Sequence, residues 1–360
     1  MVIPYRPVGL EKIIFIRRLN MKDKKKRSVS IMALTLAALM VLVLLGCSQD
    51  QKMEENIYPL SVNHPDAQVN IDLSQFPEIQ APENGTSGLV PDNELQIVTY
   101  DVASSGVQVA EMPASRSVGS NVVEGYIPSY LSMDRTVIGT DNRFKITATT
   151  SYPYSTYVKM YMTFPNGLRY IASGTLVGDK HVLTAGHCIY SAGDGGWATS
   201  ITVYPGLAGS YAPFGSTYAT YLRSVTQWTG STNYDYDYGI ITLASNIGQA
   251  AGWHGYAYFS SGTSGLAMGV YGYPGDRDSG LYQYGAYDYV RTYTTNRLYY
   301  YADTYGGQSG GAVISRGSTY NDYLFGIHSG SNYVGSTLYN RATRMTSGIF
   351  NHIAAAKAAD

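Results

Sequence analysis

Three short stretches carry side chains whose types and spacing suit nucleophilic displacement assisted by a base. In Leu183-Thr184-Ala185-Gly186-His187-Cys188 a histidine follows the apolar run His181-Val182-Leu183, where a strand ends and a turn begins. An imidazole there titrates near neutral pH and can take up and return a proton. In Gly306-Gly307-Gln308-Ser309-Gly310-Gly311 glycines flank a single serine. They let the backbone turn tightly and leave the hydroxyl exposed. They also let the amides of Gly307 and Ser309 point into one space, as stabilisation of an oxyanion requires. The lysine of a phosphate-binding loop is missing, so nucleotide binding is not expected. In Tyr236-Asp237-Tyr238-Gly239-Ile240-Ile241-Thr242-Leu243 an acid directly precedes a buried-type strand. Held out of water, that carboxylate can accept a bond from an imidazole. Asp235 competes for the role, and the offset to the apolar run favours Asp237.

The elements that would position these groups are short strands. From about Thr136 onward, alternating apolar and polar runs are separated by Gly, Asn, Asp and Pro. Tyr157 to Met162 alternates, Ser200 to Tyr204 alternates and ends at Pro205-Gly206, and Gly239 to Leu243 reads as a buried strand. Many short strands at such spacing predict an all-β barrel or sandwich. One helix is expected, over Ser347 to Ala358, with Ile349, Phe350 and Ile353 on its apolar side.

In the order His187, Asp237, Ser309, the three motifs resemble those of the chymotrypsin-like serine peptidases, and within them the bacterial glutamyl endopeptidases. The resemblance runs from about Thr136 to Phe350. It is carried by TVIG at 136–139, TAGHCIY at 184–190, NYDYDYGIITL at 233–243, GYPGD at 272–276, DTYGGQSGGAV at 303–313, GIHSG at 326–330 and YNRATRM at 339–345. It implies two perpendicular antiparallel β-barrels with the active site between them and a C-terminal helix. It implies Ser309 as nucleophile, His187 as general base and then acid, Asp237 as the residue orienting His187, and the Gly307 and Ser309 amides as oxyanion hole.

The same resemblance implies that Thr304 and His328 bind an acidic side chain of the substrate. An imidazole and a hydroxyl in a small cleft can donate two hydrogen bonds to a carboxylate, and they reject neutral analogues that leave them unpaired. A core histidine satisfied by backbone is the alternative for His328. Ser329 and Ser331 are possible helpers, and Asp303 falls outside the pair. In some relatives the new N-terminal amine also approaches the pocket, and whether Thr136 or Val137 does so here is open. Many relatives pair the cysteine beside the catalytic histidine, but here Ala172 stands where the partner would sit, so Cys188 is expected as a free buried thiol. Gly311 and Ala312 stand where many glutamyl relatives have Ser-Pro.

Acidic residues are unevenly distributed. Residues 1–135 hold eight glutamates, the last being Glu124, and all eleven acids of residues 136–360 are aspartates. A drift toward turn-forming Asp is one reading. The other is that an enzyme cutting after Glu offers itself no preferred bond.

The N-terminal third reads as processing and targeting sequence. Lys22 to Arg27 form a basic region, Ile31 to Leu45 an apolar run shorter than a membrane span, and Gly46-Cys47 follows. This resembles a bacterial lipoprotein signal with Cys47 as the lipidation site; an ordinary signal peptide and a retained anchor are the alternatives. Residues 48–135, broken by prolines such as Pro59, Pro65, Pro77, Pro82, Pro91 and Pro113, read as a pro-segment or linker with at most a small strand or two, such as one around Leu95 to Val98. Cutting near Asp134-Arg135-Thr136 would release a peptidase domain of residues 136–360. Cleavage after Arg135 needs another protease; cleavage after Asp134 or Glu124 could be autocatalytic.

Composition excludes several other classes. Lys and Arg total 25 against 26 Asp and Glu, which excludes a simple electrostatic nucleic-acid binder. Two cysteines exclude a disulfide-dense scaffold and a cysteine zinc cluster. The expectation is a secreted monomer with no cofactor or metal, acting on proteins or peptides with acidic side chains. Its membrane contact would be confined to a lipid on the precursor. A chymotrypsin-like peptidase of other specificity and a non-catalytic surface binding protein on the same fold are the competing readings.

Overall fold

Side chains that alternate at period two give each strand one face to bury, and the core of this chain follows that rule. Val158, Met160 and Met162 turn inward together, as do Ile201 and Val203. The computed structural model describes residues 94–112, 122–123, 143–259, 263–317 and 322–360, all within the unit Val69–Asp360. Cys47, the signal and Thr136 lie outside the described residues.

The strands of the N-terminal half are β1 (Gln96–Asp101), β2 (Gly106–Glu111), β3 (Val122–Val123), β4 (Arg143–Lys145), β5 (Tyr157–Thr163), β6 (Arg169–Leu176), β7 (His181–Thr184), β8 (Tyr190–Ser191), β9 (Gly196–Trp197), β10 (Ser200–Pro205), β11 (Thr217–Val225) and β12 (Gly239–Leu243). Those that follow are β13 (Tyr256–Ala257), β14 (Ala267–Gly272), β15 (Tyr284–Tyr289), β16 (Thr292–Tyr293), β17 (Arg297–Tyr300), β18 (Ala312–Ser315), β19 (Leu324–Val334) and β20 (Thr337–Arg344). Two short helices, α1 (Thr226–Thr229) and α2 (Gly248–Ala251), precede the long α3 (Ser347–Ala359).

The first sheet runs β10-β5-β6-β7-β12-β11-β1-β2, and a further β10–β11 pairing closes its first six strands into an antiparallel barrel. The second runs β16-β17-β20-β19-β18-β14-β15-β4, with β13 and β3 attached through β19. The expected all-β, chymotrypsin-like architecture with a C-terminal helix is the one found. Thr346 caps α3 by accepting the Ile349 amide at 3.3 Å. At the far end of α3, Asp360 binds Arg223 at 2.9 Å and Thr242 at 2.6 Å, pinning the helix to the first barrel.

The strand expected around Leu95 to Val98 is β1, and it builds no core of its own. It pairs with β11 from Ile97 opposite Val225 to Asp101 opposite Tyr221. β10 covers only Thr217 and Tyr218 of β11 on that side, so β1 fills an edge the barrel leaves open. Leu95, Ile97, Val98, Tyr100 and Met112 are buried with the barrel core, and Tyr100 stacks on Trp197 at 5.5 Å.

Lys159 departs from the pattern. A lysine between Val158 and Met160 reads as solvent-facing, yet it is fully buried. The loop after β14 covers that face: a Cβ at Gly280 would lie 3.0 Å from Lys159 Nζ. The ammonium lies 5.4 Å from the Tyr161 ring and 5.8 Å from the Tyr273 ring. It has no hydrogen-bond partner among the described residues, and burial pushes its pKa down to about 8.

Candidate active site

His187 stands on the single 3-10 turn Gly186–Cys188 that follows β7. Asp237 follows another such turn, Tyr234–Tyr236, and leads into β12. β7 and β12 are antiparallel neighbours with Gly239 opposite Thr184. The end of one strand therefore coincides with the start of the other, and the residues just beyond each meet. His187 Nδ1 lies 2.9 Å from Asp237 Oδ2 and 3.2 Å from Oδ1, and the His187 amide donates to Oδ1 at 2.9 Å.

The Asp237 side chain is fully buried, whereas a third of the His187 side chain (33%) is exposed. Burial works to lower the His187 pKa, but the Asp237 carboxylate and the neighbouring Cys188 sulfur together raise it, so the imidazole stands well above its ordinary value. With Nδ1–H donated to Asp237, the free imidazole presents Nε2 as an acceptor.

Asp235, the competing acid, does something else. It forms an ion pair with Arg297 on β17, and the neighbouring Tyr234 ring lies 4.6 Å below the Arg341 guanidinium. Thr343 Oγ1 donates to the Asp237 carbonyl at 2.8 Å. Strands of the second sheet thus grip the turn that delivers Asp237.

Ser309 arrives on the loop between β17 and β18, which is anchored to β6. The Ser173 amide donates to the Ser309 carbonyl at 2.9 Å, and Ser173 Oγ donates to the Gly307 carbonyl at 2.8 Å. Gly310, at φ +81°, packs so closely that a Cβ would sit 2.0 Å from Thr184 Oγ1 and 2.2 Å from the Ser173 carbonyl. The serine loop therefore lies against Thr184, three residues before His187. The Ser309 side chain is half-buried and makes no hydrogen bond to a described residue. Hydrogen bonds of this kind are often unformed in unliganded sites.

The loop amides divide into two sets. Those of Gln308, Gly310 and Gly311 donate to Tyr305, His328 and Gln308 carbonyls. Those of Gly306, Gly307 and Ser309 have no acceptor among the described residues, and Gly307 is held at φ +100°. Donors left unpaired in a tight turn are what binding of an oxyanion requires.

His328 is the loop's other neighbour. Its carbonyl accepts the Gly310 amide at 2.7 Å and its amide donates to Gly311 at 2.9 Å. Its ring is buried, with Nδ1 2.7 Å from Tyr300 Oη, and the Arg341 backbone also acts on it. Burial first, and then the positive field of His187, push its pKa down to about 3. Thr304 is half-buried five residues before Ser309 and makes no hydrogen bond to His328; Asp303 and Ser331 are exposed and Ser329 is buried. Cys188 is a free, buried thiol.

Sequence reasoning missed Ser173, Thr343 and Arg297, which lie outside the three motifs. Among the described residues no three His, Cys, Asp or Glu side chains gather as a metal would require.

Against known proteins, the family model described as Trypsin matches residues 145–352. An extracellular metalloprotease of Bacillus subtilis is 40% identical over 219 residues, which is 60% of this chain and 68% of that protein. A glutamyl endopeptidase of Bacillus licheniformis is 37% identical over 224 residues, 61% of this chain and 68% of that protein. The structure of a Glu endopeptidase in complex with MPD superposes with a TM-score of 0.54 at 30% identity, covering 62% of this chain and all of that one. The thermostable serine protease AL20 shares the fold at 19% identity, with a TM-score of 0.50 over 57% of this chain and 98% of that one.

Proposed function

The chain belongs to the trypsin family of serine peptidases, and from that premise we propose that it cleaves peptide bonds after glutamate, and more weakly after aspartate, with His187, Asp237 and Ser309 as its triad. Ser309 Oγ attacks the scissile carbonyl while His187 Nε2 takes its proton. The oxyanion is stabilised by the Gly307 and Ser309 amides, each worth roughly 3–4 kcal/mol in the transition state. His187 then protonates the leaving amine, and water repeats the sequence to release the acid. Asp237 keeps the ring in the tautomer that leaves Nε2 free to accept.

The observation that carries the specificity is the seat of His328. Its backbone is bonded to Gly310 and Gly311, immediately after Ser309, which seats His328 against the nucleophile's loop; on this reading its ring meets the substrate side chain. Thr304 would supply the second donor to the carboxylate. The absence of glutamate after Glu124 fits an enzyme spared from its own attack. Similarity to an enzyme named glutamyl endopeptidase supports the same reading.

The precursor is proposed to be exported, in keeping with a relative named as extracellular, and to carry a lipid on Cys47. Cutting near Asp134 to Thr136 would then divide the chain ahead of a monomeric peptidase domain, residues 136–360, with the β1–β2 hairpin held on β11 by non-covalent contacts alone.

Digestion of one denatured protein followed by sequencing of the products tests the specificity. Cuts after Glu are expected; cuts as frequent after Lys or Phe overturn it. Labelling by a serine-directed phosphonate, lost in Ser309→Ala, tests the chemistry. Activity abolished by a chelator and restored by a metal, with no labelling, would favour the chemistry in the Bacillus subtilis relative's name instead.

A further inference from the structure

The Tyr300 hydroxyl touches two groups. Its oxygen lies 2.7 Å from His328 Nδ1 and 3.2 Å from the Arg341 carbonyl. Tyr300 ends β17, His328 lies on β19, and Arg341 lies on β20 between them. The phenol reaches across the intervening strand beside a bulge, where β19 skips a residue between His328 and Gly330 opposite Ala342 and Arg341. Both rings are buried, so no bulk water competes for these contacts.

A phenol has one proton to donate, and a neutral imidazole has one ring N–H. If the phenol donates to Nδ1, the imidazole proton must be on Nε2. If the phenol donates to the Arg341 carbonyl, Nδ1 carries the proton and Nε2 is a bare acceptor. Either arrangement keeps the 2.7 Å bond between Nδ1 and Oη; they differ at the Arg341 carbonyl, where 3.2 Å is long for a hydroxyl donor and so favours the phenol donating to Nδ1. No described residue bonds Nε2, which is left for whatever enters the pocket.

The choice of nitrogen is a choice of substrate. An Nε2–H donates more strongly to a carboxylate than to a neutral carboxamide oxygen; a bare Nε2 repels a carboxylate and accepts from a carboxamide N–H. Resting on the reading of His328 as the carboxylate-binding residue, we propose that Tyr300 is a positioning residue for specificity: by donating to Nδ1 it holds the His328 proton on Nε2, so that the pocket selects glutamate over glutamine. Burial keeps the imidazole neutral in the empty pocket, so the tautomer, not a resident charge, sets what the pocket offers.

Nitrogen-15 NMR of the histidine-labelled protein distinguishes the two tautomers directly. His328 protonated on Nε2 is expected; protonation on Nδ1 overturns the proposal, whatever the enzyme cleaves. Kinetics with paired peptides differing only in Glu or Gln before the cut give the second arm. In Tyr300→Phe the Glu-to-Gln ratio of kcat/KM is expected to fall at least about tenfold, through a higher KM for the Glu peptide. A merely structural role would weaken both peptides alike. An unchanged ratio in folded Tyr300→Phe sinks the proposal while leaving the glutamate reading intact if His328→Gln still abolishes the preference. A native enzyme indifferent to Glu and Gln sinks both.

Discussion

Ser173 holds Ser309 in place from the other sheet: its amide donates to the Ser309 carbonyl at 2.9 Å. Its hydroxyl donates to the Gly307 carbonyl at 2.8 Å and accepts the Tyr273 amide at 2.9 Å. Ser173→Ala keeps the backbone bond and strands two buried backbone groups, each costing about 1–3 kcal/mol. The expected outcome is a lower melting temperature together with a lower kcat, because the freed carbonyl belongs to the oxyanion loop. Thermal denaturation and single-turnover kinetics check both.

Asp237→Asn separates rate from pH. Asp237 raises the His187 pKa, and the base works only when deprotonated. Activity of the native enzyme is therefore lost as pH falls through a value above the ordinary 6.5 of histidine. The variant is expected to lose about ten-thousand-fold in kcat and to carry its residual activity to lower pH. A kcat/KM profile from pH 5 to 9 measures the shift.

Asp235 and Arg297 give a smaller effect. Their pair is partly exposed, at 22% and 17% of the side chains, and such pairs contribute about 0.2–1 kcal/mol. Asp235→Asn is expected to reduce kcat no more than about fivefold by loosening the turn that carries Asp237. A loss as deep as that of Asp237→Asn would give Asp235 the orienting role.

Lys159 provides a stability test. Its folded pKa of about 8 lies below the unfolded value near 10.4, so folding disfavours its charged form. The penalty is fully present below pH 8 and fades as pH rises toward 10.4. Lys159→Met is expected to raise stability at pH 7 by up to roughly 3 kcal/mol and to show little advantage near pH 10.5. Denaturant titrations at the two values measure the difference.

The histidine and acid were legible because each sits at the end of an apolar run, and strand ends dictate where such groups meet. Gly239 to Leu243 is a strand over those residues, and the terminal helix begins at Ser347 as the pattern indicates. What supports them was not legible. Ser173 reads as one more strand residue, and its partners are 100 and 134 positions away. Thr343 contacts Asp237 from 106 positions away. Lys159 follows the alternation correctly but meets a loop where the pattern expects water. The burial of β1 depends on an edge of β11 that only the closed barrel reveals.

That edge has a practical side. A recombinant version trimmed to the family match would begin near residue 145 and leave Tyr221 to Val225 without the neighbour that covers them. Bare backbone of this kind recruits strands from other copies. Such a preparation would risk self-association, and its poor solubility would reflect a missing hairpin, not a faulty catalytic domain.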